Sequence, residues 1–266
     1  MSLTDATHRV TTYRGNAAFI SDVHLGTRSC RAEALLAFLK RLDTKTLYLV
    51  GDIIDLERMS QSVHWQRTHS AVVRELFQLA ATGTHVVYIP GNHDAPFRAL
   101  AGRRVNGIDI HLNTVHETAH GERLLVTHGD QFDSELRIGN IKEKIGSVAY
   151  KLLMDLDVNV NRLRARLGYR QLNLARSVKG RIKSVTRYIN DYEELATKYA
   201  SQRGLDGVIC GHIHKPCIRT CGRLRYFNTG DWVEHGTALV EDDHGQIRLV
   251  NIETGSRREA VIATAA

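Results

Sequence analysis

"HVVYIPGNHD", residues 85 to 94, joins a β-branched and apolar run directly to an amide, an imidazole and a carboxylate. A strand that only had to turn at the surface would be served by Gly91 and Asn92. Adding His93 and Asp94 brings nitrogen and oxygen donors to one point, at the end of what reads as a buried strand.

The same grammar recurs in both directions along the chain. "NAAFIS" (16–21), "TLYLVG" (46–51), "ERLLVTH" (122–128) and "DGVICGH" (206–212) are short apolar runs, each ending in polar residues. Between the first three runs lie "RAEALLAFLKRL" (31–42) and "THSAVVRELFQLAATG" (68–83), whose apolar residues recur at three- and four-residue spacing. Strand, helix, strand in this order predicts parallel strands joined by right-handed crossovers, with the polar clusters at the carboxyl ends of the strands. The expected fold class is therefore α/β. After His128 the pattern changes: residues 135 to 203 read as a long helical insertion within a single domain of residues 1–266. Strands resume at "DGVICGH", and "LRYFNTG", "GTALVED" and "GQIRLVNIE" give the last group an antiparallel character, with turns at "CGR" and "DHG".

A chain of 266 residues with 42% hydrophobic content can bury one large core. Cys30, Cys210, Cys217 and Cys221 form no CxxC pair and read as free thiols of a reducing compartment. The first residues lack an apolar signal region, and no stretch approaches the roughly 18 apolar residues of a membrane span. A cytoplasmic location is expected, with contact to the inner face of the cytoplasmic membrane still open to the chain.

The strand-end clusters are "DVH" (Asp22, His24), "GDIID" (Asp52), "GNHD" (Asn92, His93, Asp94), "THGD" (His128) and "GHIH" (His212, His214). One histidine near a strand end is ordinarily a solvated imidazole, and one "GD" is ordinarily a turn. Five clusters in succession after expected strands point to one assembled site. Imidazole, carboxylate and amide oxygen without thiolate is a donor set for borderline divalent ions such as manganese, iron, zinc or cobalt. Seven ligands exceed the needs of one ion and suit two ions that share a carboxylate. His93 cannot easily face the same ion as Asn92, because adjacent side chains diverge. It is expected to face the substrate as a proton donor or charge stabiliser, with Asp94 either holding its tautomer or only capping the turn that follows at "DAPF".

In that order DxH, GDxxD, GNHD, HGD and GHxH, over residues 19 to about 240, the chain resembles the calcineurin-like metallophosphoesterases. The resemblance implies a β-sandwich flanked by helices with a dinuclear site at its edge. It also implies Asp22, His24 and His214 on one ion, Asn92, His128 and His212 on the other, and Asp52 as the bridge. "FISDVHLG", "YLVGDIIDL", "YIPGNHD", "THGDQFD", "ICGHIHKP" and "YFNTGDWVE" are similar to the bacterial UDP-2,3-diacylglucosamine diphosphatases and their relatives. That group cleaves the pyrophosphate of a lipid-bearing UDP-sugar to UMP and an acylated sugar 1-phosphate in lipid A synthesis. Members with that activity read GNRD where this chain reads GNHD, so His93 stands in place of an arginine.

Residues 137 to 187 hold thirteen Lys or Arg and three acids, although the whole chain carries only +7. With Ile145, Val148, Leu152, Leu156 and Leu163 interspersed, a basic amphipathic cap able to meet an anionic membrane is one reading. A solvated helical insertion packed through its leucines is the other. Nucleic acid is a weaker candidate, since aromatic interleaving is missing. "NTGDWVEHG" (228–236) reads as a turn followed by a strand, with Trp232 either core or substrate platform. The expected function is a dinuclear phosphohydrolase of a lipid-linked nucleotide sugar. Another phosphodiester or phosphomonoester, such as a phospholipid or cyclic nucleotide, is the alternative substrate, and a metal-retaining scaffold is the alternative to an enzyme.

Overall fold

The computed structural model describes residues 12–139, 175–252 and 263–264. In β1 (Tyr13–Ile20) Ala18 and Ile20 point to one side, Ala17 and Phe19 point to the other, and all four are buried. A strand buried on both faces belongs at the centre of a layered structure. After α1 (Ala32–Leu39), β2 (Leu42–Leu49) repeats the pattern. A single turn, α2 (Leu56–Met59), and the longer α3 (Arg67–Ala81) then lead to β3 (His85–Tyr88). Ala18, Ile20, Leu47, Leu49 and Val86 share a cluster with Leu35, Phe38 and Leu39 of α1 and Val72 and Leu76 of α3. Phe19, Tyr48 and Val87 face the other way, into a second cluster. Each buried Val, Leu, Ile or Phe side chain among them stabilises the fold by about 1.5–3 kcal/mol.

That second cluster is closed by another sheet. Its strands are β6 (Thr114–Glu117), β7 (Arg123–Val126), β8 (Gly207–Cys210), β9 (Cys217–Cys221), β10 (Leu224–Asn228) and β13 (Ala263–Thr264), in the order β13-β9-β10-β8-β7-β6. Leu124, Val126, Ile209, Ile218 and Phe227 fill the space between the sheets. The first sheet is completed by β4 (Arg104–Val105), β5 (Ile108–Ile110), β11 (Thr237–Glu241) and β12 (Ile247–Asn251), in the order β12-β11-β1-β2-β3-β5-β4. Within it β1, β2, β3 and β5 run parallel, with Ala18 opposite Leu47 and Leu47 opposite Val86. Strands β7, β8 and β10 are parallel in the second sheet.

The expected strands and the two expected hairpins form, β9 with β10 and β11 with β12. Strands β4, β5, β6, β9 and β13 escape a reading by apolar runs: β4 is two exposed residues and β6 is "TVHE". The antiparallel character expected of the last strands needs correction at β8, which pairs with β10 in parallel.

Two compact units divide the chain, Met1–Asp130 with Ala196–Ala266, and Gln131–Leu195. The first holds both sheets. In the second, the Phe132 and Tyr192 rings meet edge-on at 5.6 Å. Helix α4 (Asp130–Gly139) begins before the expected helical region of residues 135–203 and α5 (Ala175–Ser201) lies inside it; residues 140–174, with most of the basic stretch, lie outside the described residues. Among the described residues no helix is long and apolar enough to cross a membrane.

Candidate metal centre

Asp22 and His24 follow β1, Asp52 follows β2, Asn92 and His93 follow β3, His128 follows β7, and His212 and His214 follow β8. All seven expected ligands therefore stand just beyond the carboxyl ends of parallel strands, three clusters from the first sheet and two from the second. The chain leaves those strands abruptly. Among the described residues six non-glycine residues have positive φ, and five are Asp22, His24, Asp52, His212 and His214, at 52° to 67°. The sixth, Asn106, lies in the Asn-Gly turn between β4 and β5. Left-handed backbone at such residues costs about 1–3 kcal/mol each and persists only where the surroundings impose it. Here they do: the amides of Val23 and His24 both donate to the Asp52 carbonyl at 2.9 Å, and the His212 amide donates to Asp22 Oδ2 at 2.9 Å. Glycines allow the loops to close in. A methyl group at Gly91 would collide with the Asp52 carboxylate and the His128 ring, and one at Gly211 with Ser21 and Asp22.

The donors converge in three overlapping groups, Asp22–His24–His214, His24–Asp52–His93 and Asp52–His128–His212, with the ligand atoms of each within 4.8 Å of one another. Asp52 appears in two of them. Asn92 Oδ1 lies 3.3 Å from His128 Nε2. Tautomers are set from behind. His128 Nδ1–H donates to the Val50 carbonyl at 2.9 Å, and His24 Nδ1–H donates to Asp55 at 2.8 Å, so that each presents Nε2 to the centre. Among the described residues, His24 Nε2 is a buried atom without a hydrogen-bond partner, and Asp22 Oδ1 meets another expected ligand, His214 Nε2, at 3.1 Å. A buried polar atom left open within a donor set of imidazole, carboxylate and amide fits divalent ions.

The electrostatics agree. Burial alone would lower the His128 pKa, but the Asp52 carboxylate 3.4 Å away outweighs it and pushes the imidazole up to about 10. Burial of Asp22 and Asp52 works against their charge, yet His214 for the first and His128 for the second hold both below the usual carboxylate range. The pocket thus calls for positive charge.

His93 Nδ1 lies 2.9 Å from Asp55 Oδ1 and 3.5 Å from Glu57. Its amide donates to Asp52 Oδ1 at 2.8 Å. Burial lowers its pKa, but the Asp55 hydrogen bond and the Asp52 charge raise it further, which favours the protonated imidazole. The expectation that Asp94 holds this ring is corrected. Asp94 accepts from Tyr88 OH, from the Ile53 amide at 2.8 Å and from the Gly91 amide at 2.5 Å, so it braces its own turn. The residue missed was Asp55, whose carboxylate serves His24 and His93 together. The available signal was the second acid of "GDIID", three residues after Asp52. Trp232 is fully buried beside Phe38, its amide bonded to the Asp22 carbonyl, and belongs to the core.

Two facing sheets with this donor array at one edge define a metal-dependent phosphoesterase. The family model of the calcineurin-like phosphoesterases matches residues 16–216, and the chain belongs to that family, a metal-dependent hydrolase. It is 28% identical over 245 residues to the UDP-2,3-diacylglucosamine hydrolase of Xanthomonas campestris, covering 85% of this chain and 95% of the relative. To the protein of the same name from Stenotrophomonas maltophilia it is 25% identical over 244 residues, with the same coverage. Among solved structures, the phosphoesterase Yfce from E. coli superposes with a TM-score of 0.46 at 16% identity, covering 90% of this chain and 94% of that one.

Proposed function

We propose that the chain hydrolyses the pyrophosphate of a lipid-linked nucleotide sugar of the UDP-2,3-diacylglucosamine type, releasing UMP and an acylated sugar 1-phosphate. The supporting observation is the pairing of the complete strand-end donor array with relatives of that name along nearly their whole length. Asp22, His24 and His214 would hold one divalent ion, Asn92, His128 and His212 the other, with Asp52 shared. Manganese is the first candidate. When bound, the ions supply Lewis acidity that makes water nucleophilic near neutral pH and offsets charge on the phosphoryl group. Asn92 contributes a neutral donor, which keeps the centre positive for an anionic substrate. His93, held by Asp55 through Nδ1, presents Nε2–H to the oxygen that departs as the P–O bond breaks. The net positive charge of residues 135–203 supports contact with the anionic inner face of the cytoplasmic membrane, where a lipid-linked substrate would be met.

His93 also favours a second reading. A sugar phosphate leaves as a stabilised anion, whereas an alkoxide needs a proton, and a protonated imidazole on a carboxylate suits the latter. A phosphodiester substrate such as a phospholipid is therefore the alternative. The manganese-loaded protein, given the UDP-sugar lipid in mixed micelles, should release UMP detectable by mass spectrometry. Cleavage of an aryl phosphodiester without UMP release would select the second reading. Metal binding without cleavage of either would mark a scaffold.

A further inference from the structure

Asn92 and His128 come from different sheets, the first from the loop after β3 and the second from the loop after β7, yet their donor atoms stand 3.3 Å apart. No backbone ladder joins β3 to β7, so the spacing of the two loops at this edge depends on side chains that cross between them. Arg98 makes such a crossing. It sits on the 3₁₀ turn Ala95–Leu100 that follows "GNHD". Its Nε and Nη2 each lie 3.4 Å from the Pro90 carbonyl, two residues before Asn92. Its Nη2 also donates to both oxygens of Asp130, two residues after His128, at 2.9 and 2.8 Å. Asp130 is close enough for its charge to act on His128, and the Arg98 guanidinium pairs that carboxylate.

We propose that Arg98 is a positioning residue that ties the Pro90–Asn92 loop of the first sheet to the His128–Asp130 loop of the second, so that Asn92 and His128 meet on one ion. The inference rests on the dinuclear reading above. It concerns only one of the two ion sets, since Asp22, His24 and His214 lie on loops that Arg98 does not touch among the hydrogen bonds of the described residues. A lysine could reach one partner but lacks the planar fork that spans two.

Titrating the metal-free full chain with Mn²⁺ tests this. Wild type should take two equivalents. Arg98→Ala should keep one at wild-type affinity and bind the second about 10–100-fold more weakly, the range that loss of support behind metal ligands gives. Asp130→Asn should do the same, the double variant should be no worse than the weaker single one, and Arg98→Lys should fall between. Excess Mn²⁺ should restore kcat of Arg98→Ala toward an aryl phosphodiester, a rescue that a damaged fold would not show. Two tight equivalents in Arg98→Ala would overturn the proposal, as would equal weakening of both sites with a lowered Tm. A wild type that binds fewer than two equivalents would overturn the dinuclear reading, and the inference with it.

Discussion

His116 and His24 are equally buried imidazoles resting on carboxylates, and they differ in how their remaining atoms end. His116 Nε2 lies 2.6 Å from Glu241 Oε2, its Nδ1 lies 3.2 Å from Tyr48 OH, and the other Glu241 oxygen accepts the Ala119 amide at 2.8 Å. Those bonds engage both ring nitrogens and both carboxylate oxygens within the protein, between regular strands of the two sheets. His24 is bonded on Nδ1 alone and its Nε2 has no partner, while Asp22 Oδ1 beside it meets His214 Nε2, itself an expected ligand, at 3.1 Å. Leaving a buried polar atom unpaired costs about 1–3 kcal/mol, and the left-handed backbone of this edge adds to that cost. The closed network holds the sheets together, and the open one is shaped for an ion.

The sharpest test of that contrast is Asp52→Asn. With the shared charge gone, at least one ion should be lost. Turnover should fall by more than the about 10⁴-fold that a missing acid or base group costs at most. Two metals per chain by elemental analysis, with near-normal turnover, would contradict the assignment. His93→Ala comes next: turnover slowed by about 10²–10⁴-fold with metal content intact, and a smaller effect on aryl substrates, whose leaving groups need no proton. Lost metal would instead make His93 a ligand. Asp55→Asn should show both faults in milder form, with metal affinity lower by about 10–100-fold and turnover reduced, because it supports His24 and His93 at once.

Proton and ion should compete for the open network. The raised pKa of His128 means that, without metal, the His128–Asp52 pair stabilises the fold fully below the unfolded histidine value of about 6.5. That contribution is lost as pH rises through about 10. The Tm of chelated protein should therefore decline across that window, and the Tm of manganese-loaded protein should hold nearly constant; parallel profiles would count against the reading. The smallest effect on chemistry belongs to the closed network. His116→Leu strands Glu241 and should lower unfolding stability by about 3–5 kcal/mol in urea, while turnover per folded molecule and metal stoichiometry stay unchanged.

Much of this centre was legible because its information is local. An apolar run followed by Asp, His or Asn shows both a strand and the donor placed at its end, and five such endings mark the strand ends that carry the site, though not that they belong to two sheets. The carboxylate behind His93 was not legible by that route. Asp94 is adjacent in sequence, but its side chain turns back onto the Gly91 amide, while Asp55, 38 residues earlier, reaches the ring. The divergence of neighbouring side chains that separates His93 from Asn92 separates it from Asp94 as well. His116 lay hidden for the opposite reason: "TVHE" has no apolar run to announce a strand, and Glu241 is 125 residues away.

By itself, then, the sequence determined the kinds of donor, their order along the chain and the strand edge that carries them, since residue type and hydrophobic period are local properties. Only the tertiary structure decided which carboxylate backs which imidazole, which buried atoms remain open, and that Arg98 spans two loops from separate sheets. Those outcomes depend on distances between residues far apart in the chain, which are settled when the two sheets pack and their side chains compete for the same few partners.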